Sequence, residues 1–432
     1  MHEKTEDVTS YLAMELTLRV GELMLAGGES AERVERAIIH LGQVYGLPRI
    51  EANVTLAAIS VSYLPGLGRQ PVTGERMVRR RSANFTRLVA LQRLIGDAES
   101  GRLPLDGASE RLRKIISAPA PYPSWLLHGA LAMIGGAGAI LVGGGAWAAA
   151  AAFAATLCGD RTGAWLGRRG VAEFFQVAVA AAIGALMAVL LVAADSPVSS
   201  GSVVVGVVIA LIPGRALVAS LQDGIAGDYM TGTVRLVETM FIIAAILAGV
   251  GFTIYLGNRL GVAISLNNLP YAQIKTSPAP LMAAGVISAA FAVYVMAPRT
   301  WLVSATLGGM AAWILFVNLL HLKLPAAAAT LVATVGLGIV GTGYARARDV
   351  PPLVAVLPCL TPLMPGTLMY RALLEITTDH PGSGVLTLVE AVSTALALGA
   401  GVILGAEILR AVIPVRDRAV RVMLPVTRRV RR

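Results

Sequence analysis

Between residues 118 and 409 the chain places only 12 Lys/Arg and 11 Asp/Glu over nearly 300 positions. The apolar residues there fall in runs long enough to cross a bilayer, which takes about 20 mostly apolar residues each. Ten such runs are expected, near 125–143, 146–165, 173–193, 202–218, 234–256, 278–296, 300–319, 324–343, 352–370 and 386–409. That excludes a disordered chain, a disulfide scaffold and an ordinary soluble enzyme over most of the length. Cys158 and Cys359 sit inside apolar runs and read as buried small hydrophobes.

The flanks differ. Residues 1–117 hold 16 basic and 14 acidic residues, a soluble composition. Residues 118–124 (APAPYPS) form a Pro-rich linker that cannot continue a helix. The domain expectation is a small α/β domain over 1–117, a first five-helix membrane unit over 125–257, a second over 278–412, and a basic tail over 413–432. Residues 410–432 carry eight Arg and one Asp. A basic tail directly after a span fixes orientation or meets anionic headgroups, so the high isoelectric point is no argument for nucleic acid.

With the N-terminal domain placed inside, inner connections carry Arg161, Arg168, Arg169, Arg215, Arg235, Arg299, Arg346 and Arg348. Outer ones carry Arg259, Lys275, Lys323 and Arg371. An even number of spans with both termini cytoplasmic satisfies this bias. The polar, acidic opening Met1–Ser10 has no apolar stretch behind it and does not read as a secretory signal.

Within 1–117, Tyr11–Ala26 and Ser30–Val44 read as helices, 50–64 and 70–81 as strands, and 84–96 and 106–116 as helices. Arg79–Arg80–Arg81 is a basic run that reads first as a solvated surface and second as a contact for phosphate headgroups.

The most informative pattern is a repeat. Residues 211–250 and 363–402 share 12 of 40 positions at an offset of 152, without a gap. Pro213–Gly214 matches Pro365–Gly366, and Leu236–Val237–Glu238 matches Leu388–Val389–Glu390. Asp223 matches Glu375. Five spans per unit would invert the second copy, and inverted repeats with Pro/Gly-interrupted spans at equivalent places are a transporter signature. The fold expected is therefore a polytopic α-helical membrane protein of about ten spans in two inverted repeats.

Candidate site residues follow from the repeat. The Pro213–Gly214 and Pro365–Gly366 breaks free backbone groups at membrane depth, tolerated only against protein or water. They, with Asp223, Asp228 and Glu375, are the candidates for substrate contact. Glu238 and Glu390 are candidates for proton coupling, since intramembrane carboxylates usually serve a pathway; the plain alternative is a helix-start Glu favoured by the dipole. Asp160 and Arg161 could form an internal ion pair. His128, His321 and His380 are isolated, so no metal and no cofactor is expected. No phosphate-binding glycine loop or nucleophile elbow is present, which leaves an ATP-driven pump without a motor.

The stretches Leu18–Ser30, Ile212–Leu217 with Asp223, Gly227, Gly232, Arg235 and Glu238, and Leu363–Leu368 with Tyr370–Arg371 resemble the threonine/serine exporter family of bacteria, which has fungal vacuolar relatives. The likeness spans nearly the whole chain. It implies a secondary exporter of small amino acids, driven by the proton motive force in the bacterial inner membrane. Relatives split over two proteins are associated with dicarboxylate export. That is the alternative here, and it would shift weight to Arg215, Arg235 and Arg371. A membrane-anchored hydrolase is a further alternative, without a visible nucleophile–base pair. The small domain could gate the inner mouth or hold subunits of a homo-oligomer together.

Overall fold

The computed structural model describes residues 2–55, 57–66, 70–78, 83–225, 227–262, 278–377 and 381–413. Arg79–Arg80–Arg81, Lys275, His380 and the tail beyond 413 lie outside the described residues.

The N-terminal part opens with two helices, α1 (His2–Gly27) and α2 (Ala31–Val44). A three-stranded antiparallel meander follows: β1 (Ile50–Val54), β2 (Ala58–Tyr63) and β3 (Val72–Met77). Two more helices, α3 (Phe85–Glu99) and α4 (Leu105–Ser117), complete it. Residues 50–64, expected as one strand, are a hairpin in which Val54 pairs with Ile59. The β-branched run hides the turn because Thr55 itself makes it, its hydroxyl accepting from the Ala58 N–H at 3.2 Å. Burial alternates along β2, and the inward residues Ile59, Val61 and Tyr63 pack in one core with Val20, Ile38 and Leu41 of the helices.

After residues 118–123 come α5 (Ser124–Leu141), α6 (Ala146–Arg168), α7 (Glu173–Ala193), α8 (Ser200–Leu211), α9 (Gly214–Ile225) and α10 (Tyr229–Arg259). Then follow α11 (Pro278–Tyr294), α12 (Leu302–His321) behind a short turn at Arg299–Trp301, α13 (Ala326–Ala347), α14 (Pro352–Leu360), α15 (Gly366–Thr377) and α16 (Pro381–Val412). At the offset of 152, α9 maps onto α15 at both ends, and the starts of α8 and α10 map onto those of α14 and α16.

Among the described residues six helices are long and apolar enough to cross a membrane, and the bent pairs 200–225 and 352–372 raise the number to eight. Two of the ten expected runs are not among these. The α6 helix holds Asp160, Arg161 and Arg168, and α11 has 17 residues.

Helix directions follow from the contacts. The α5 helix leaves the N-terminal domain, since the linker enters it at Ser124. Its counterpart α11 returns to that domain, where Val295 O and Met296 O accept the Phe85 and Thr86 N–H groups at 3.0 Å each. The Tyr122 hydroxyl donates to Ala297 O at 2.9 Å in the same place. Gly249 lies on Ala178 and Gly257 on Val189, so α10 runs parallel to α7. Gly338 lies on Val402 and Gly343 on Leu409, so α16 runs parallel to α13. Small residues at these crossings let backbones approach, which is how helices associate without a hydrophobic drive between them.

Candidate functional site

Each broken span turns on a three-residue segment ending in Pro–Gly. Ile212 and Met364 are extended, and the glycine two places on donates its N–H back to their carbonyls, at 2.9 Å from Gly214 and 2.8 Å from Gly366. The intervening proline has no N–H to lose and its fixed φ suits so tight a turn. The helices bend there by 49° and 43°.

The structure brings the two breaks together. A Cβ built on Gly214 would overlap Met364 Cε, and one on Gly366 would stand 2.6 Å from Ile209 Cγ1. Each break thus packs on the span that carries the other. A cavity of about 50 Å³ lies beside the second break, against Ile209, Trp313, Phe316, Leu363, Pro365 and Thr394. It has room for a few water molecules, and it sits at the helix ends farthest from the N-terminal domain. A smaller apolar pocket is lined by the pairs Leu217/Met369, Leu236/Leu388 and Met240/Val392, each related by 152.

Asp223 is fully buried near the end of α9. Its Oδ2 faces Arg235 Nε of α10 at 3.2 Å, and its Oδ1 accepts the Ala31 N–H at 3.0 Å. Arg235, 6% exposed, donates through Nη2 to Glu29 O at 3.4 Å. Arg215 donates through Nη1 to Gly27 O at 3.3 Å. The turn between α1 and α2 is therefore seated on α9 and α10. Gly28 allows it: its φ is +97°, and a Cβ there would stand 3.0 Å from Arg215 Nη1. Glu35 of α2 faces the same region. Burial pushes its carboxyl above the usual range, and the nearby charges of Asp228 and Glu32 add to the effect.

The equivalent position in the second half has the same plan. Glu375, 7% exposed, accepts from Thr387 Oγ1 at 2.7 Å and from Arg371 Nε at 2.6 Å. Thr387 is the counterpart of Arg235 at the offset of 152. The acid on the short helix reaches the same site on the long helix in both halves. Arg371, one turn before Glu375, supplies the cation in the second.

The remaining candidates separate. Asp228 is the N-cap of α10, its Oδ1 accepting the Thr231 N–H at 3.0 Å. Glu238 is half-buried. Glu390, expected to face an interior cavity, is exposed on the α16 face that carries Val385, Leu386 and Val389. The Asp160–Arg161 ion pair is corrected: Asp160 bonds Nδ1 of His128 on α5. Successive residues on a helix point about 100° apart and do not face each other. His128, isolated in sequence, gains its partner through α5–α6 packing. His40 likewise meets Glu99, Nδ1 to Oε1 at 2.8 Å.

Arg235 as partner of Asp223, Thr387 as partner of Glu375, and the seating of the Gly27–Ala31 turn on α9 and α10 were not predicted. Only the shared offset of 152 between Arg235 and Thr387 hinted at the first two.

Comparison with known proteins adds an independent finding. Residues 15–257 match the family described as "Putative threonine/serine exporter", and residues 280–408 match "Threonine/Serine exporter, ThrE". The chain is 32% identical over 411 residues to a protein of Mycobacterium tuberculosis named "Probable threonine/serine exporter", covering 93% of this chain and 77% of that one. It is 32% identical over 406 residues to the "Threonine/serine exporter" of Corynebacterium glutamicum, covering 92% and 82%. No solved structure matches it.

Proposed function

The chain belongs to the threonine/serine exporter family, and on that premise we propose that it exports threonine and serine across the bacterial cytoplasmic membrane, driven by the proton motive force. Membership in an exporter family sets the hydrolase alternative aside.

The reading takes 125–257 and 278–412 as two inverted five-span units, with the N-terminal domain and the basic tail cytoplasmic. Two observations support the inversion: α5 leaves the domain where α11 returns to it, and the element starts agree at an offset of 152. Oppositely oriented copies of one broken element give two states of similar energy, one open to each side.

The observation that carries the proposal is the packing of the two Pro–Gly breaks on each other, through Gly214 on Met364 and Gly366 on Ile209. Substrate would bind between them. The small cavity beside Pro365 would be the outer approach, and Asp223 the anion for the substrate ammonium. Glu238 and Glu390 are the proposed proton carriers, Glu238 being the more sheltered. The dicarboxylate alternative is disfavoured by Asp223, which meets Arg235 at 3.2 Å and would repel a second carboxylate.

The test is counterflow in proteoliposomes loaded with unlabelled threonine, with labelled threonine or succinate outside, with and without a pH gradient. Threonine exchange that responds to the gradient, and loses that response in Glu238→Gln or Glu390→Gln, is expected. Succinate exchange without threonine exchange would overturn the substrate reading. Gradient response retained in both variants would remove the proton role.

A further inference from the structure

We propose that the Asp223–Arg235 couple is the inner receiving site for an α-amino-acid zwitterion, and that the Gly27–Ala31 turn occupies it as a stand-in the substrate must displace. This rests on the exporter reading above and adds to it Arg235 as a substrate-binding group and the N-terminal domain as the inner gate.

The chemistry of the couple is that of the ligand. An α-amino acid offers an ammonium, which needs a carboxylate, beside a carboxylate, which suits a guanidinium fork. The turn offers neutral versions of both. The Ala31 N–H donates to Asp223 Oδ1 at 3.0 Å, and Glu29 O accepts from Arg235 Nη2 at 3.4 Å. Gly27 O accepts from Arg215 at 3.3 Å and fixes the turn in place. The turn's bonds to Asp223 and Arg235 already have one ionised partner each, and a zwitterion brings the second charge and so adds a Coulombic attraction that the turn lacks. A zwitterion can therefore compete with a peptide turn that carries no formal charge at these atoms.

Stability alone is a poor account of the couple. A buried ion pair seldom repays its desolvation, so its presence asks for another role. The acid recurs at Glu375, with Arg371 as its cation and Thr387 at the Arg235 position. That places an acid and an arginine in both copies of the broken element. The couple also explains selectivity: a simple amine leaves Arg235 without a carboxylate, and a dicarboxylate brings one against Asp223.

Ser30 reports on the turn. It is 4% exposed and its side chain makes no cap bond to α2, so Ser30→Cys removes no hydrogen bond of the helix start. Cys158, expected to be buried, is exposed on α6, so the full chain carries Cys158→Ser, and inverted membrane vesicles expose its inner face to an impermeant maleimide. Threonine at saturating concentration should raise labelling of the introduced thiol several-fold, and succinate should not. A second variant, Ala31→Pro, removes the N–H that Asp223 accepts. Proline is favoured at a first helical position, and Ser30 at φ −68°, ψ 150° already has the backbone a following proline requires. It should raise labelling without threonine and lower the threonine KM from the inner face.

Labelling indifferent to threonine, or Ala31→Pro without effect on labelling and KM, overturns the stand-in. If Asp223→Asn and Arg235→Lys then still raise the threonine KM about tenfold or more, the substrate site survives that failure. If both keep the parental KM, the site itself is wrong.

Discussion

Arg235→Met would leave the Asp223 carboxylate buried with one backbone N–H and no cation at 3.2 Å. Asp223→Asn would leave the guanidinium, only 6% exposed, facing a neutral amide. Breaking a buried ion pair from one side costs about 3–5 kcal/mol, because an uncompensated charge stays behind. The double variant leaves no such charge. Its introduced amide still offers an oxygen to accept the Ala31 N–H, so it should be destabilised by less than the sum of the singles. Contacting residues couple by about 0.5–3 kcal/mol, and a fully buried pair should fall in the upper half of that range. The assay is thermal unfolding of the four purified proteins in one detergent, with linker proteolysis near residues 118–123 reporting whether the N-terminal domain stays seated. Single variants that add within about 0.5 kcal/mol would refute the reasoning. So would an Arg235→Met protein whose linker resists protease as the parent does.

Other outcomes follow from the same packing. Gly249→Ala should lower the unfolding temperature markedly, since its Cβ would overlap Ala178 O, a backbone atom; overpacking of this kind costs about 1–3 kcal/mol. Gly214→Ala meets the flexible end of Met364 and should be milder, and equal losses in thermal unfolding would contradict that. Thr387→Val removes the hydroxyl donor to the buried Glu375 at 2.7 Å and should cost about 1–3 kcal/mol in the same assay, whereas a neutral result would mean the bond is not held. Asp97 is held below the usual carboxylate range, first by its bond to Arg102 and then by that to Arg111. Its contribution is present above the unfolded pKa and lost as pH falls through the lowered folded value. Asp97→Asn should therefore reduce the unfolding temperature at neutral pH, with the gap closing in acid; a gap independent of pH would count against it.

Much of this was legible without coordinates, because hydropathy and proline act locally. Apolar runs decide where helices form, and Pro213–Gly214 and Pro365–Gly366 break them wherever they lie in a bundle. The bent pairs, the linker and most helix boundaries follow from such local rules. The hairpin at Thr55 was missed because a β-branched residue made the turn, and the Asp160–Arg161 pair failed because helix geometry turns neighbours apart.

The sequence by itself thus determined a membrane-spanning helical chain with a highly charged N-terminal part and 12 shared positions at an offset of 152. Only the tertiary structure decided which charges meet. Asp223 lies 192 positions from Ala31, and His128 lies 32 from Asp160. No local preference can encode such pairings. They arise when apolar packing fixes the helices, and buried charges take whatever partners that packing brings within hydrogen-bond reach.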